Sequence, residues 1–175
     1  MTPAYAFCHW LTQTYVGTLM QTNDYLFPTV EALHIMGSVA LVASTSILSL
    51  RLAGLFLTEI PVSKIASQFL PWAWLGFGCQ VVTGTLLFMS EATLAYDNVI
   101  FQVKMALIIV AGVNALIFHR TVYRRVETWN LSKPPFLATF SGYASIVIWF
   151  AVVAAGRWLN SSVANSPMPI PPMPK

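Results

Sequence analysis

The sequence has little charge, two cysteines and no motif of a soluble enzyme. Only 9% of its 175 residues are Asp, Glu, Lys or Arg, whereas soluble domains contain about 25%. Hydrophobic residues make up 57% of the chain, and its mean hydropathy is +0.68. Such a composition suits lipid better than water as the main solvent, so the chain is predicted to be an integral membrane protein.

The absence of known enzyme motifs narrows the range of possible functions further. The sequence contains no P-loop, no GxGxxG in a βαβ context, no HExxH and no GxSxG. The net charge of +3 is not gathered into a basic patch interleaved with aromatic residues, which argues against a nucleic-acid partner. Cys8 and Cys79 form neither a CxxC motif nor a zinc-ligand spacing. We expect both to be small buried residues without a disulfide.

Four apolar stretches are long enough to cross a bilayer, which takes about 20 residues each. They cover residues 28–50, 70–90, 99–120 and 137–159. Pro28 and Pro71 are placed like first-turn prolines, Asn98 like a helix cap, and Pro134 and Pro135 precede the fourth stretch. The predicted fold is an all-α four-helix membrane bundle over residues 27–160.

The basic residues of the short loops predict the orientation. Six of the nine Lys and Arg residues fall at or beyond the ends of the first and third spans: Arg51, Lys64, Arg120, Arg124, Arg125 and Lys133. Four of the six acidic residues fall on the other side: Asp24, Glu31, Glu91 and Asp97. The basic side is therefore expected to be cytoplasmic. In a Gram-negative bacterium this places both termini in the periplasm and the chain in the inner membrane.

The two ends of the chain lie outside the bundle. Residues 1–26 are predicted to form a short amphipathic helix in the membrane interface, because apolar residues alternate there with Thr and Gln. Residues 161–175 are predicted to form a proline-rich tail, whose last segment, NSPMPIPPMPK, cannot be helical. These ends, over residues 1–22 and 160–175, are candidate docking elements for other membrane or periplasmic subunits.

Ionisable side chains inside a membrane are costly, so each is a functional candidate. His34 is the seventh residue of the first span, and Lys104 is the sixth residue of the third. At 1.5 Å per residue both lie roughly 8–9 Å below the outer entrance, so they are expected to share a level. His119 is about 22 Å further along the third span. The depth difference therefore argues against one haem ligated by both His34 and His119.

Small residues surround these candidates on the first three spans, and two interpretations stay open. They allow close helix packing, or they leave room for a flat ligand whose metal is bound by His34. His34 itself either hydrogen-bonds within the bundle or acts as a ligand or proton carrier. Glu31, one turn earlier, either orients the imidazole or faces the interface. Lys104 either extends towards the interface or faces His34. His119 suits the basic belt, and Gln80 and Asn114 are the main buried amides.

Four motifs follow one another along the chain. They are EALHIMG, SLRLAGL, GTLLF and a two-part motif in which FQVKMAL is followed by NALIFHR. Over residues 25–125 the chain resembles an uncharacterised family of bacterial four-helix membrane proteins. More distantly, it is similar to HemJ-type protoporphyrinogen oxidases and CopD-type copper-resistance membrane proteins. The HemJ resemblance implies haem b, with His34 as its ligand and Lys104 as the partner residue on the facing helix.

Three functions follow as hypotheses. The first is a b-type haem protein that exchanges electrons with the quinone pool or carries out porphyrin-type redox chemistry, with Arg51 and His119 serving a quinone or second site. The second is a non-catalytic subunit that anchors a larger membrane complex. The third is copper handling, which would use thioether and thiolate ligands. Its candidate residues are Met36, Met89, Met105, Cys8 and His9.

Overall fold

The computed structural model describes residues 2–129 and 133–164, except for the side chains of Val122, Arg125 and residues 160–164. Within these ranges it contains helices and no strand. The six α-helices are α1 Pro3–Thr12, α2 Tyr15–Thr22, α3 Leu26–Leu52, α4 Val62–Asp97, α5 Val99–Ile117 and α6 Phe136–Ala164. A π-helical turn, Phe118–Val122, and a 3₁₀ segment, Tyr123–Thr128, extend α5. The predicted all-α fold is confirmed.

Four helices have the length and apolar composition of membrane spans. They are Leu26–Leu52, Val62–Asp97, Val99–Thr121 and Phe136–Leu159. At 1.5 Å per residue, the 36 residues of α4 extend about 54 Å, which exceeds the roughly 30 Å of a bilayer core. The protein is therefore a multi-pass membrane protein in which α4 extends beyond the hydrocarbon region.

Helix starts follow local side-chain chemistry. Asn98 Oδ1 accepts a hydrogen bond from the Ile100 amide at 2.9 Å and so caps α5. This confirms the predicted cap. Pro28 lies in the first turn of α3, and α6 begins at Phe136, directly after the two prolines. Residues 3–22 form two short helices, which meet at residues 13–14.

The prediction for Pro71 is wrong. Pro71 lies inside α4, nine residues after the helix begins at Val62. A proline within a helix removes one backbone hydrogen bond, but the turns before it are held by burial. Val62, Ile65 and Ala66 are at most 1% exposed, and they belong to the apolar cluster that joins the ends of α3, α4 and α6. Tertiary packing therefore extends the helix past the position where the proline pattern predicts its start.

Helices α3 and α4 pack most closely, as an antiparallel pair. A methyl group added at Gly76 would lie 2.7 Å from the Leu41 amide nitrogen and 2.9 Å from the Gly37 carbonyl oxygen. A methyl group added at Gly37 would lie 2.9 Å from Cys79 Sγ. The backbones are thus in direct contact at these glycines, as small residues allow in membranes. For Gly37 and Gly76 the packing interpretation applies, and no space is left there for a ligand.

The other two spans complete the bundle from the opposite side. Helix α6 packs on both α3 and α5, whereas α5 packs chiefly on α6 and only slightly on α4. Asn114 and Ser141 join α5 to α6 through two hydrogen bonds, from Asn114 Nδ2 to the Ser141 carbonyl oxygen at 3.2 Å and from Ser141 Oγ to Asn114 Oδ1 at 3.1 Å. The helices therefore follow the order α4, α3, α6, α5. Helices α4 and α5 have little contact with each other although they are consecutive in the chain, and the space between them is called the α4–α5 cleft.

Candidate functional site

His34 lies on α3 where it faces α4, and it is half-buried. Its Nδ1 atom is 2.8 Å from Thr83 Oγ1. The ring edge lies against Gly84, because a methyl group added there would come within 3.2 Å of His34 Cε1. The imidazole is thus held by one polar contact from α4, and a glycine provides the space that it occupies.

The backbone of His34 is held as well. Gln80 Nε2 donates hydrogen bonds to the His34 carbonyl oxygen and to Ser38 Oγ, the latter at 2.9 Å. Ser38 Oγ donates to the same carbonyl oxygen at 3.0 Å. Gln80, expected to be a buried amide, therefore joins α4 to α3 about one helical turn from the imidazole, between His34 and Ser38. These bonds restrict both the backbone and the ring of His34.

Lys104 approaches the same level from α5. Its side chain is half-buried and lies within electrostatic reach of His34. The amine rests beside Gly156 of α6, where an added methyl group would be 3.6 Å from Lys104 Nζ. The structure therefore brings together the two residues that the depth argument assigned to one level. His34 lies on α3 beside Thr83 of α4, and Lys104 lies on α5 beside Gly156 of α6.

The aromatic rings of Phe88 and Phe101 bound the α4–α5 cleft towards the chain turn at Asn98. They stack with centroids 5.4 Å apart and an interplanar angle of 10°. Further along the two helices, a methyl group added at Gly78 or Gly112 would meet no atom within 4 Å. The small residues at these two positions leave open space, in contrast to those at the α3–α4 contact.

Glu31 lies one turn before His34 on α3 and is half-buried. The hydrogen-bond partner at His34 Nδ1 is Thr83, not this carboxylate. Glu31 instead lies within electrostatic reach of Glu91, whose backbone departs from helical geometry within α4. Glu91 borders a cavity of about 350 Å³ that is lined by Met20, Gln21, Asn23, Asp24, Phe27, Ser90 and Glu91. Acidic residues thus gather between His34 and the amino-terminal end of α3.

His119 is remote from this site. It is exposed on the π-helical turn after α5, and its ring stacks on Tyr123 with centroids 5.5 Å apart. It follows Lys104 by fifteen residues, which is about 22 Å of helix. His34 and His119 therefore lie at opposite ends of the bundle.

Arg51 is buried near the other end of α3. It is 2% exposed, and its Nε atom donates a hydrogen bond to the Ile60 carbonyl oxygen at 2.8 Å. The side chain thereby fastens the loop after α3 beside the apolar cluster that contains Leu48 and Leu52. The observed contact supports the fold of this loop.

Replacing Arg51 with methionine is expected to lower the free energy of unfolding by about 1–3 kcal/mol, because the buried Ile60 carbonyl loses its charged donor. Thermal unfolding in detergent, followed by tryptophan fluorescence, measures the change in Tm. Arg120→Met is the matched control, because Arg120 is exposed. Equal Tm values for the two variants would contradict the structural role.

The copper candidates are dispersed. Met36 and Met105 are 67% and 43% exposed, and Cys8 is a buried free thiol beside His9. Within residues 2–129 and 133–164, no group of three or more His, Cys, Asp or Glu side chains is placed to hold a metal ion. The groups near the level of His34 are thus one imidazole, from His34, and one amine, from Lys104. This set of donors differs from the set that holds a metal ion bound by protein side chains alone.

Comparison with known families adds one finding to this geometry. The chain matches the family described as "Family of unknown function (DUF6644)" over residues 7–162. The chain belongs to that family. No curated protein matches it, and neither does any solved structure.

The family match runs from α1 to the second half of α6. It therefore contains the four membrane spans as one unit. It also contains every candidate site residue: Glu31, His34, Arg51, Lys104 and His119. Thr83 lies within it too and was missed by sequence reasoning. Thr83 follows Cys79 by four residues, the spacing at which a threonine hydroxyl can bond to a carbonyl of its own helix, and this was the signal that the sequence offered. The contact between Thr83 and His34 depends instead on how α3 and α4 pair.

Proposed function

We propose that this chain is a b-type haem protein of the bacterial inner membrane that transfers electrons, with His34 as the iron ligand. The observation that carries the proposal is a restrained imidazole on α3 that lies within electrostatic reach of a lysine amine on α5. Histidine and lysine are expensive inside a membrane and mark functional sites there. The distant likeness to HemJ-type proteins supports the same residues.

The residues around His34 and Lys104 fit a haem. A haem needs one or two axial donors from the protein, and His34 supplies an imidazole of the kind that ligates haem iron. Glycines lie beside both polar side chains, Gly84 at His34 and Gly156 at Lys104. A flat macrocycle would therefore meet one donor atom, at His34, and one cation, at Lys104, each with a glycine beside it.

Each residue then has a defined task. His34 would hold the iron, and Thr83 and Gln80 hold His34. Lys104 would pair its ammonium group with a propionate carboxylate, since a charge-assisted pair offsets part of the cost of placing both groups in the bilayer. When bound, the haem supplies one-electron transfer between its ferric and ferrous forms. The chain tunes the reduction potential through the identity of the axial ligand and through burial.

The electron partners follow from the predicted orientation. With both termini on the periplasmic side, His34 lies near that face, and a periplasmic or membrane subunit docked on residues 1–22 would exchange electrons there. Membrane quinone is the partner proposed for the lipid phase. Helices α1 and α2 pack against α4 and expose Phe7 and Trp10 at 57% and 59%, which gives such a subunit an apolar surface.

An absorbance spectrum tests the proposal directly. The chain is purified in detergent from cells supplied with a haem precursor, and its spectrum is recorded before and after reduction with dithionite. We expect a Soret band and, after reduction, an α band characteristic of b haem, with iron present in proportion to protein. Preparations that show neither these bands nor iron would exclude the haem function.

A further inference from the structure

Thr83 connects His34 to the backbone of α4. It is 5% exposed and lies between α3 and α4. Its Oγ1 atom makes two short contacts, one of 2.8 Å to His34 Nδ1 and one of 2.6 Å to the Cys79 carbonyl oxygen. Both partners lie within hydrogen-bond distance of a hydroxyl group that has a single proton.

Counting protons assigns the direction of these two bonds. A carbonyl oxygen can only accept, so the Thr83 hydroxyl donates its proton to Cys79. The hydroxyl oxygen must then accept at its other contact, and the proton in that bond belongs to His34 Nδ1. This excludes the neutral imidazole with its proton on Nε2, because that form would place two acceptors against each other.

We propose that Thr83 is a positioning residue that holds neutral His34 in the tautomer protonated at Nδ1 and so leaves the Nε2 lone pair as the donor atom. The inference rests on the proposed function for the identity of the ligand, but the tautomer itself is a property of the protein alone. The partner of one ring nitrogen commonly decides which nitrogen binds a metal. Here the partner is a hydroxyl from the neighbouring helix.

The surrounding contacts also hold His34 in the position that this assignment requires. Gln80, one turn before Thr83 on α4, donates to the His34 carbonyl oxygen, so α4 holds both the ring and the backbone of the same residue. Gly84, the next residue after Thr83, leaves room for the ring edge at Cε1. Three residues of α4 thus determine the position of one imidazole on α3.

Nitrogen NMR of the chain labelled with ¹⁵N-histidine tests the tautomer. The chain has three histidines, and His34→Gln identifies the signal of His34. In protein purified without added haem, at a pH where the imidazole is neutral, we expect His34 to be protonated at Nδ1 and bare at Nε2. Thr83→Val, which removes the hydroxyl but keeps the shape, should shift the signals towards a mixture of tautomers. Thr83→Ser should retain the wild-type pattern.

Haem titration gives the second measurement. We expect Thr83→Val to weaken haem binding by about 10- to 100-fold, the usual effect of losing a partner of a metal-ligating histidine, and Thr83→Ser to restore it. An Nε2-protonated His34 in the wild-type chain, or a Thr83→Val spectrum identical to wild type, overturns the inference while leaving the haem proposal intact. A shifted tautomer in a chain that binds no haem sustains the role of Thr83 and excludes the proposed function.

Discussion

Replacing His34 with alanine is expected to remove the Soret and reduced α bands of the purified protein, whereas replacing His119 leaves them unchanged. His34 is the one described imidazole held at the level of Lys104 between α3 and α4. His119 is exposed and stacks on Tyr123 near the far end of α5. Without the imidazole of His34, the site loses its ligand for iron, and haem binding falls below detection.

The His34→Ala and His119→Ala variants serve as controls for each other. Both variants replace a histidine with alanine in the same chain, and thermal unfolding reports whether each one remains folded. Haem content is measured as iron per protein alongside the absorbance spectrum. Retention of the bands in His34→Ala together with their loss in His119→Ala would move the ligand to the opposite end of the bundle and contradict the assignment.

A large effect on stability is also expected at Gly76. An alanine methyl group at this position would lie 2.7 Å from the Leu41 amide nitrogen and 2.9 Å from the Gly37 carbonyl oxygen. Both are backbone atoms that cannot rotate away, so α3 and α4 must separate. We expect Gly76→Ala to lower the free energy of unfolding by about 1–3 kcal/mol, the range for overpacked sites.

Gly78 on the same helix provides the matched control. A methyl group there meets no atom within 4 Å, and alanine is the better helix former by about 1 kcal/mol. Gly78→Ala should therefore leave Tm unchanged or raise it. Thermal unfolding in detergent, followed by tryptophan fluorescence, measures both variants. Similar Tm values would show that α3 and α4 are not in the close contact described.

Two local features could not be predicted from sequence patterns: the π-helical turn after α5 and the division of the amino terminus into two helices. Apolar residues spread among Thr and Gln at residues 3–22 indicate one short helix in the membrane interface, but the helix breaks at residues 13–14, and the break depends on Thr14. Its hydroxyl caps α2 by accepting from the Gly17 amide at 3.2 Å. Gly17 is needed there because an added methyl group would lie 2.7 Å from the Leu11 carbonyl oxygen. The close approach exists only once α1 and α2 fold back on each other.

The sequence by itself determined the all-α membrane class, the presence of four apolar spans and the cap at Asn98, and it predicted a common level for His34 and Lys104. Each depends on composition, local chemistry or rise per residue, which need no knowledge of the neighbouring helices. The tertiary structure decided that α4 begins before Pro71, that Arg51 fastens a loop, and that Thr83 rather than Glu31 contacts His34 Nδ1. These depend on the pairing of α3 with α4. That pairing is a contact between segments far apart in the chain, and backbone approach at Gly37 and Gly76 selects it.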